Sequence, residues 1–120
     1  MKNCLTIAGS DCSGGAGIQA DLKTFSALGC YGMSAISAVV AENTERVIST
    51  MPVTPSVIYD QLEAVFTDIR VDAVKIGMLP DAGSMHAVAA ALMKFDPEIV
   101  VCDPILAATA GTELMQGSAV

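Results

Sequence analysis

Residues 5–21 read LTIAGSDCSGGAGIQAD, and this stretch decides the fold that the sequence predicts. Its apolar beginning is typical of a buried strand, and glycines then follow at positions 14, 15 and 17. A helical pattern starts at about Ala16. A strand, a glycine-rich loop and a helix N-terminus bring backbone N–H groups close to a ligand, because glycine accepts positive φ and has no Cβ. The stretch therefore predicts a ligand-binding loop at the start of an α/β domain.

The composition argues against several classes of protein. The sequence has 120 residues, of which 52% are hydrophobic, so one core can form and disorder is not expected. It contains no apolar run of about 18 residues and no visible secretory signal. The net charge is −7, without a basic stripe, which disfavours nucleic-acid binding. We expect a cytoplasmic protein with a small-molecule substrate and with neither a nucleic-acid nor a membrane partner.

The cysteines and the histidine do not predict a metal site. Four cysteines stand at positions 4, 12, 30 and 102, and His86 is the only histidine. No two cysteines have the C-x-x-C spacing of a zinc site, so we expect no metal bound by these side chains. Free cysteines are typical of a reducing compartment.

Apolar periodicity predicts strands that alternate with helices. The expected strands are 3–8, 34–41, 71–77 and 99–102, with 46–51 compatible with a further short strand, and the expected helices are 16–28, 56–69 and 82–95. Such alternation indicates βαβ units and a parallel sheet that is covered by helices on both faces.

Polar residues or glycines follow each expected strand, and in a parallel sheet these ends meet at one edge, where ligands bind. The residues in question are Gly9, Glu42-Asn43-Thr44, Gly77-Met78 and Asp103-Pro104. Asp21 is also unusual, because it lies within the apolar stripe of the first helix and must find a partner there. Lys75, in an expected buried strand, should likewise pair with a carboxylate.

A dinucleotide-binding domain is an alternative interpretation. Residues 15–20 satisfy the pattern G-x-G-x-x-A, and Glu42 ends the following strand, where a ribose-binding acid would stand. However, the first glycine of that pattern comes several residues after the strand, whereas the dinucleotide motif turns at once. The pattern also leaves Asp21 unexplained.

Four segments resemble the hydroxymethylpyrimidine/phosphomethylpyrimidine kinases of thiamine biosynthesis, which belong to the ribokinase-like superfamily and have vitamin B6 kinases as relatives. The segments are TIAGSDCSGGAGIQADLKTF at 6–25, VAENT at 40–44, KIGM at 75–78 and VCDP at 101–104. The likeness runs over essentially the whole sequence in the same order. It implies a ribokinase-like, three-layer α/β/α fold with a parallel sheet.

The resemblance also implies an activity and a site. The activity is ATP-dependent phosphorylation, with Mg²⁺, of the hydroxymethyl group of an aminopyrimidine and then of its monophosphate, by a homodimer. Carried over by position, the pyrimidine pocket would be formed by Gly9, Asp21, Glu42, Met78 and Ile105, with Asp103 near the phosphate and Mg²⁺ region. By the same comparison, the glycines at 14, 15 and 17 would shape the pocket wall rather than bind phosphate.

Two departures from the family pattern shape the expectation. The ATP anion hole and the catalytic base of the family come from a Gly-Thr-Gly segment, which this sequence does not contain. We therefore expect residues 1–120 to be the N-terminal part of a single kinase domain, truncated before its C-terminal half, with no catalytic residue and no activity alone. The family commonly has Gln where Glu42 stands. Because an ionised Glu only accepts hydrogen bonds, Glu42 would bind a ring-protonated pyrimidine, carry a proton itself, or indicate a different ring such as a B6 vitamer. A pyridoxine or pyridoxal kinase is therefore the second interpretation.

Overall fold

The structure, a computed structural model, describes residues 1–103. The elements, in chain order, are β1 (Asn3–Ala8), α1 (Gly17–Ala27), β2 (Tyr31–Ile36), β3 (Ala38–Glu42), β4 (Val47–Pro52), α2 (Pro55–Phe66), β5 (Ala73–Ile76), α3 (Ala82–Phe95) and β6 (Ile99–Cys102). Within this part of the chain, β1, α3 and β6 have the predicted bounds, and β4 confirms the short additional strand.

The main sheet has four parallel strands in the order β2-β1-β5-β6. Alternation along β1 sends Leu5 and Ile7 to one face, where they join side chains of α2 and α3 in the core. Thr6 points to the opposite face, towards α1. The sheet thus lies between α1 on one side and α2 with α3 on the other, which confirms the predicted α/β fold.

The helix ends show how short polar side chains delimit these elements. The Asp81 carboxylate accepts hydrogen bonds from the backbone N–H and the hydroxyl of Ser84, both at 2.8 Å, and so caps the start of α3. Asp96 ends α3 in the left-handed conformation, with φ of 48°. In the described part of the chain no helix could cross a membrane, since the longest has 14 residues where about 20 are needed.

The expected single strand at 34–41 is wrong, because the chain leaves the main sheet at Ser37. Strand β2 ends at Ile36, and β3 then pairs antiparallel with β4 to form a separate two-stranded ribbon. Ser37 is fully buried at this junction, and its hydroxyl donates to the Met78 carbonyl at 2.6 Å. Its backbone N–H donates to Ala8 O, and its carbonyl accepts from Val53 N–H. These bonds satisfy Ser37 away from any strand ladder.

Two other elements, α2 and β5, are shorter than predicted. Helix α2 ends at Phe66 rather than at residue 69, because the backbone N–H groups of Asp68 and Ile69 both turn back to Val65 O. Strand β5 covers only Ala73–Ile76, the length over which it pairs with Cys4–Ile7 of β1.

Candidate functional site

The ends of the parallel strands align at one edge of the sheet. Gly77 N–H donates to Ile7 O at 2.8 Å, Ser37 N–H donates to Ala8 O at 2.9 Å, and Asp103 N–H donates to Ile76 O at 2.8 Å. Each bond ties the residue after one strand to the end of its neighbour. The predicted convergence of Gly9, Gly77-Met78 and Asp103 at one edge follows from this register.

Asp11 organises the glycine loop that follows β1. Its carboxylate is buried and accepts from Ser13 N–H at 2.9 Å, from Ser13 Oγ at 2.6 Å and from Gly15 N–H at 3.1 Å. Its carbonyl accepts from Gly14 N–H at 2.9 Å. Burial by itself raises the pKa of Asp11, but the hydrogen bonds from Ser13, Ala16 and Gly15 outweigh burial and lower it. Asp11 is therefore a fixed negative charge inside the loop.

The N–H groups of Ser13, Gly14 and Gly15 are already occupied and are not available to a phosphate. The N–H groups of Ser13, Gly14 and Gly15 all point at Asp11, and Ile18 N–H in the first turn of α1 donates to Gly9 O at 3.0 Å. The protein's own carboxylate takes the place that a bound anion would take at a helix N-terminus. Asp11 was missed as an organising residue, although Asp followed two residues later by Ser is a recognisable turn pattern.

Gly9 and Gly17 let the loop and the helix approach each other closely. Gly17 has φ of 60°, and a Cβ at this position would collide with Gly9 O. A Cβ on Gly9 would lie only 2.6 Å from Met78 Cε. Met78 is 4% exposed and packs with Ala38 and Val40. Gly9 and Met78 thus form a tightly packed, apolar floor at the strand ends.

The loop runs alongside β3 as far as Glu42. Ser10 N–H donates to Ala38 O at 2.9 Å, and Val40 N–H donates to Ser10 Oγ at 3.1 Å. Two residues further along, Cys12 Sγ donates to Glu42 O at 3.0 Å and accepts from Glu42 N–H at 3.4 Å. This pairing holds the Glu42 backbone against the residue next to Asp11, and the Glu42 side chain is half-buried. Burial raises the pKa of Glu42, and the charge and hydrogen-bonding carboxylate of Asp11 raise it further.

Asp21 lies below this floor, on the face of the sheet that α1 covers. Its Oδ2 accepts from Thr6 Oγ1 at 2.6 Å and from Lys75 Nζ at 2.9 Å. The expectation that Asp21 and Lys75 each need a partner is confirmed, because they are partners of each other. A Cβ on Gly77 would lie 3.0 Å from Lys75 Nζ, so the ion pair is directly beneath the strand ends.

The structure therefore brings Gly9 and Met78 into contact, with Asp21 below them, whereas Glu42 stands at the far end of β3 against Cys12. Asp103 follows the neighbouring strand β6 and is exposed. Ile105 lies outside the described residues. Within residues 1–103, no three His, Cys, Asp or Glu side chains come close enough to hold a metal ion.

The geometry does not match a dinucleotide-binding turn. Strand β1 ends at Ala8 and α1 begins at Gly17, so a loop of several residues stands where that motif turns at once. Glu42 ends the ribbon strand β3 and not the neighbouring strand β2 of the main sheet. Glu42 therefore does not occupy the position of the ribose-binding acid in a dinucleotide-binding domain.

Comparison with known proteins identifies the relatives of the chain. The family model described as phosphomethylpyrimidine kinase matches residues 11–120. The hydroxymethylpyrimidine/phosphomethylpyrimidine kinase of Escherichia coli is 52% identical over 118 residues, which cover 98% of this chain and 44% of that protein. The enzyme of the same name from Bacillus subtilis is 47% identical, with 100% of this chain and 44% of that protein covered.

Solved structures agree with these sequence matches. The crystal structure of phosphomethylpyrimidine kinase from Clostridium difficile superposes with a TM-score of 0.91 at 47% identity, over 99% of this chain and 52% of that one. Pyridoxal kinase from Bacillus subtilis, in an ADP complex, superposes with a TM-score of 0.82 at 41% identity, over 88% of this chain and 40% of that one. The chain spans about 44% of the length of the curated relatives quoted above.

Proposed function

Because the chain belongs to the phosphomethylpyrimidine kinase family, we propose that it is the N-terminal part of a single kinase domain of thiamine biosynthesis. The proposed activity of the full-length protein is ATP-dependent phosphorylation of hydroxymethylpyrimidine and then of its monophosphate. Residues 1–120 would supply the pyrimidine pocket, and the catalytic residues would come from the part that completes the length of the relatives.

The contact of Gly9 with Met78 at the strand ends, with Glu42 at the end of the adjoining strand β3, carries this proposal. Met78, whose Cε fills the space where a Cβ on Gly9 would lie, offers an apolar contact for one face of an aromatic ring. Glu42 stands at the rim with a hydrogen-bonding carboxyl group, as the edge of an aminopyrimidine requires. Ile105 belongs to the same proposed pocket by its position in the family motif.

Asp21 has a supporting place in the proposed pocket. Both of its hydrogen bonds within the described residues involve Oδ2, which Thr6 and Lys75 hold from below. Its other oxygen, Oδ1, is the atom that would contact the substrate. A second role is structural, because the same contacts fix α1 against the sheet.

The described residues do not fit the phosphates of ATP. ATP supplies the transferred phosphoryl group, and Mg²⁺ neutralises its charge. In residues 1–103 the N–H groups of Ser13, Gly14 and Gly15 are bound to Asp11, and Lys75 is paired with Asp21. Asp103 is the one residue here that we propose for the phosphate and Mg²⁺ region, from its place at a strand end. We derive no step of phosphoryl transfer from the described residues.

Phosphorylation of a B6 vitamer is the second candidate function. Pyridoxal kinases superpose closely on the chain, and Glu42 provides a carboxyl where an amide would match a pyrimidine more simply. A homodimer in the cytoplasm, where ATP is available, completes the proposal. Exposed apolar side chains of the β3–β4 ribbon, Val39, Ile48 and Met51, offer a surface for a second copy.

The test is a phosphorylation assay on the full-length protein with ATP and Mg²⁺. We expect turnover of hydroxymethylpyrimidine and of its monophosphate, with slower turnover of pyridoxine and pyridoxal. Turnover of the B6 vitamers alone would support the second candidate. No turnover of either substrate class by a folded full-length protein would contradict the proposal.

A further inference from the structure

One edge of β3 is fastened to the glycine loop at every second residue. Ser10 N–H donates to Ala38 O at 2.9 Å, and Ser10 Oγ accepts from Val40 N–H at 3.1 Å. The third contact is at Glu42, where Cys12 Sγ donates to the carbonyl at 3.0 Å and accepts from the N–H at 3.4 Å. Because alternate residues of a strand turn their hydrogen-bonding groups to the same side, the loop closes the edge of β3 that β4 leaves free.

The two contacts of the Cys12 thiol are the last ones along the ribbon. In the described part of the chain, they are the only hydrogen bonds that join the backbone of residues 42–50 to a group outside the ribbon. The turn that follows β3 is closed within itself, since Asn43 Oδ1 accepts from the N–H groups of the second and third residues after it. Without the thiol, the nearest hydrogen bond from β3 to the loop would be at Val40, about 7 Å back along the strand.

Strand pairing alone does not settle the direction of the Glu42 side chain. The side chains of Ala38 and Val40 pack with Met78. Regular alternation would send Glu42 to the same face, but the register of β3 against β4 shifts immediately before Glu42. Such an irregularity re-aims the side chain that follows it. Cys12 holds the Glu42 backbone just after this shift and so fixes a direction that the strand pairing leaves open.

We propose that Cys12 is a positioning residue of the pocket: its thiol fixes the end of β3 against the glycine loop and thereby sets where the Glu42 side chain meets the substrate ring. Because a thiol is both a weak donor and a weak acceptor, one side chain holds the carbonyl and the N–H of the same residue. Cys12 acts through Glu42 rather than by touching the substrate. This inference rests on the proposed function for the identity of the ring, but not for the attachment of β3 to the loop.

The first experiment measures the attachment of β3 in the full-length protein without ligand. Cys12→Ala removes both hydrogen bonds, so the Glu42 amide should exchange its hydrogen several times faster than in the wild type. Cys12→Ser keeps a donor and an acceptor at the same place and should restore much of the protection. The matched control, Cys30→Ala, removes a half-buried thiol just before β2, at the opposite end of the sheet, and should leave exchange at Glu42 unchanged. Equal exchange at Glu42 in Cys12→Ala and the wild type would overturn the proposal.

The second experiment measures the effect of Cys12 on phosphorylation by the full-length protein. Cys12→Ala should raise the KM for hydroxymethylpyrimidine about three- to tenfold, which is the scale of one hydrogen bond lost from binding. The KM for ATP and kcat should stay close to the wild-type values, because the substitution displaces a group that binds the ring and leaves the phosphate region untouched. Cys12→Ser should restore most of the affinity for the pyrimidine. An unchanged KM for the pyrimidine in Cys12→Ala would contradict the positioning role.

A double-mutant cycle separates action through Glu42 from a general structural effect. In the Glu42→Ala background, the contacts of the Glu42 side chain with the ring are already lost. Cys12→Ala should then change the KM for the pyrimidine by less than about twofold. A thiol that only stiffens the loop would give the same loss of affinity in both backgrounds, and that additive result would overturn the proposal.

The outcomes separate this inference from the proposed function. Turnover of hydroxymethylpyrimidine with the same KM in Cys12→Ala and the wild type would overturn the inference and keep the function. Faster exchange at Glu42 in Cys12→Ala, in a protein that neither binds nor phosphorylates hydroxymethylpyrimidine, would contradict the proposed function and, with it, the role of Cys12 in placing Glu42 against that ring.

Discussion

Asp21 Oδ2 on α1 lies 2.9 Å from Lys75 Nζ on β5, and the same oxygen accepts a hydrogen bond from the hydroxyl of Thr6 on β1. One carboxylate thus connects the first helix with two adjacent strands, directly beneath the strand ends. The side chains are 18% and 23% exposed, so the ion pair is largely shielded from water. The orientation of α1 on the sheet therefore depends on this ion pair. The position of the glycine loop, which precedes α1, depends on it as well.

Replacement of Asp21 by Asn should destabilise the domain by about 2 kcal/mol, because Lys75 loses its counter-charge in a largely buried place. Urea unfolding measures the loss. Asp60→Asn, at an exposed position of α2, is the control and should change stability by no more than about 0.5 kcal/mol. Equal stability of the Asp21→Asn variant and the wild type would show that the ion pair does not hold α1.

Gly17→Ala should cost more than about 3 kcal/mol, since the new Cβ meets Gly9 O and the residue must also keep a φ of 60°. Gly29→Ala separates these two causes, because Gly29 has φ of 80° but nothing lies within 4 Å of a Cβ there. We expect Gly29→Ala to cost about 1 kcal/mol. Thermal unfolding of both variants gives the comparison, and similar losses would contradict the close approach of Gly17 to Gly9.

Ser37→Ala removes the hydroxyl that donates to Met78 O and leaves that buried carbonyl without this donor. The expected loss is about 1–2 kcal/mol, together with weaker substrate binding, because we propose Met78 as the floor of the pyrimidine pocket. Ser26→Ala, on the exposed side of α1, should leave both quantities unchanged. Chemical denaturation and calorimetry measure the two effects, and an unaltered stability would argue against Ser37 as the junction between sheet and ribbon.

Asp11→Asn tests the charge inside the glycine loop through its pH dependence. The pKa of Asp11 is lowered by folding, so its contribution to stability is present above the ordinary value of about 3.9 and is lost as the pH falls through the folded value. The variant should be about 2 kcal/mol less stable than the wild type at neutral pH. This difference should shrink as the pH falls, in urea unfolding series at several pH values. A constant difference would mean that Asp11 acts without its charge.

Continuous apolar runs and the helical spacing of apolar residues made several core elements predictable. Strand β1, helix α3 and strand β6 match their predicted bounds, because continuous apolar runs or a clear helical period leave one interpretation. The break at Ser37 could not be predicted, because residues 34–41 are small or apolar throughout. Only bonds to Ala8, Val53 and Met78, which are distant in sequence, make the chain leave the sheet there.

The candidate site was predictable in position but not in its polar contacts. Convergence of Gly9 and Met78 followed from the parallel strand ends, and the burial of Asp21 required a partner. The identity of that partner depended on the register that sets Thr6 opposite Lys75. The proximity of Asp11 to Glu42 depends on how the glycine loop lies along β3. No local sequence pattern specifies that arrangement.

The central claim is that the strand ends around Gly9, Glu42 and Met78 bind an aminopyrimidine. Its most direct test is a calorimetric titration of the full-length protein with hydroxymethylpyrimidine, with NAD titrated in parallel. The account predicts saturable binding of the pyrimidine at one site per chain and no binding of NAD. Binding of NAD without binding of hydroxymethylpyrimidine would contradict it.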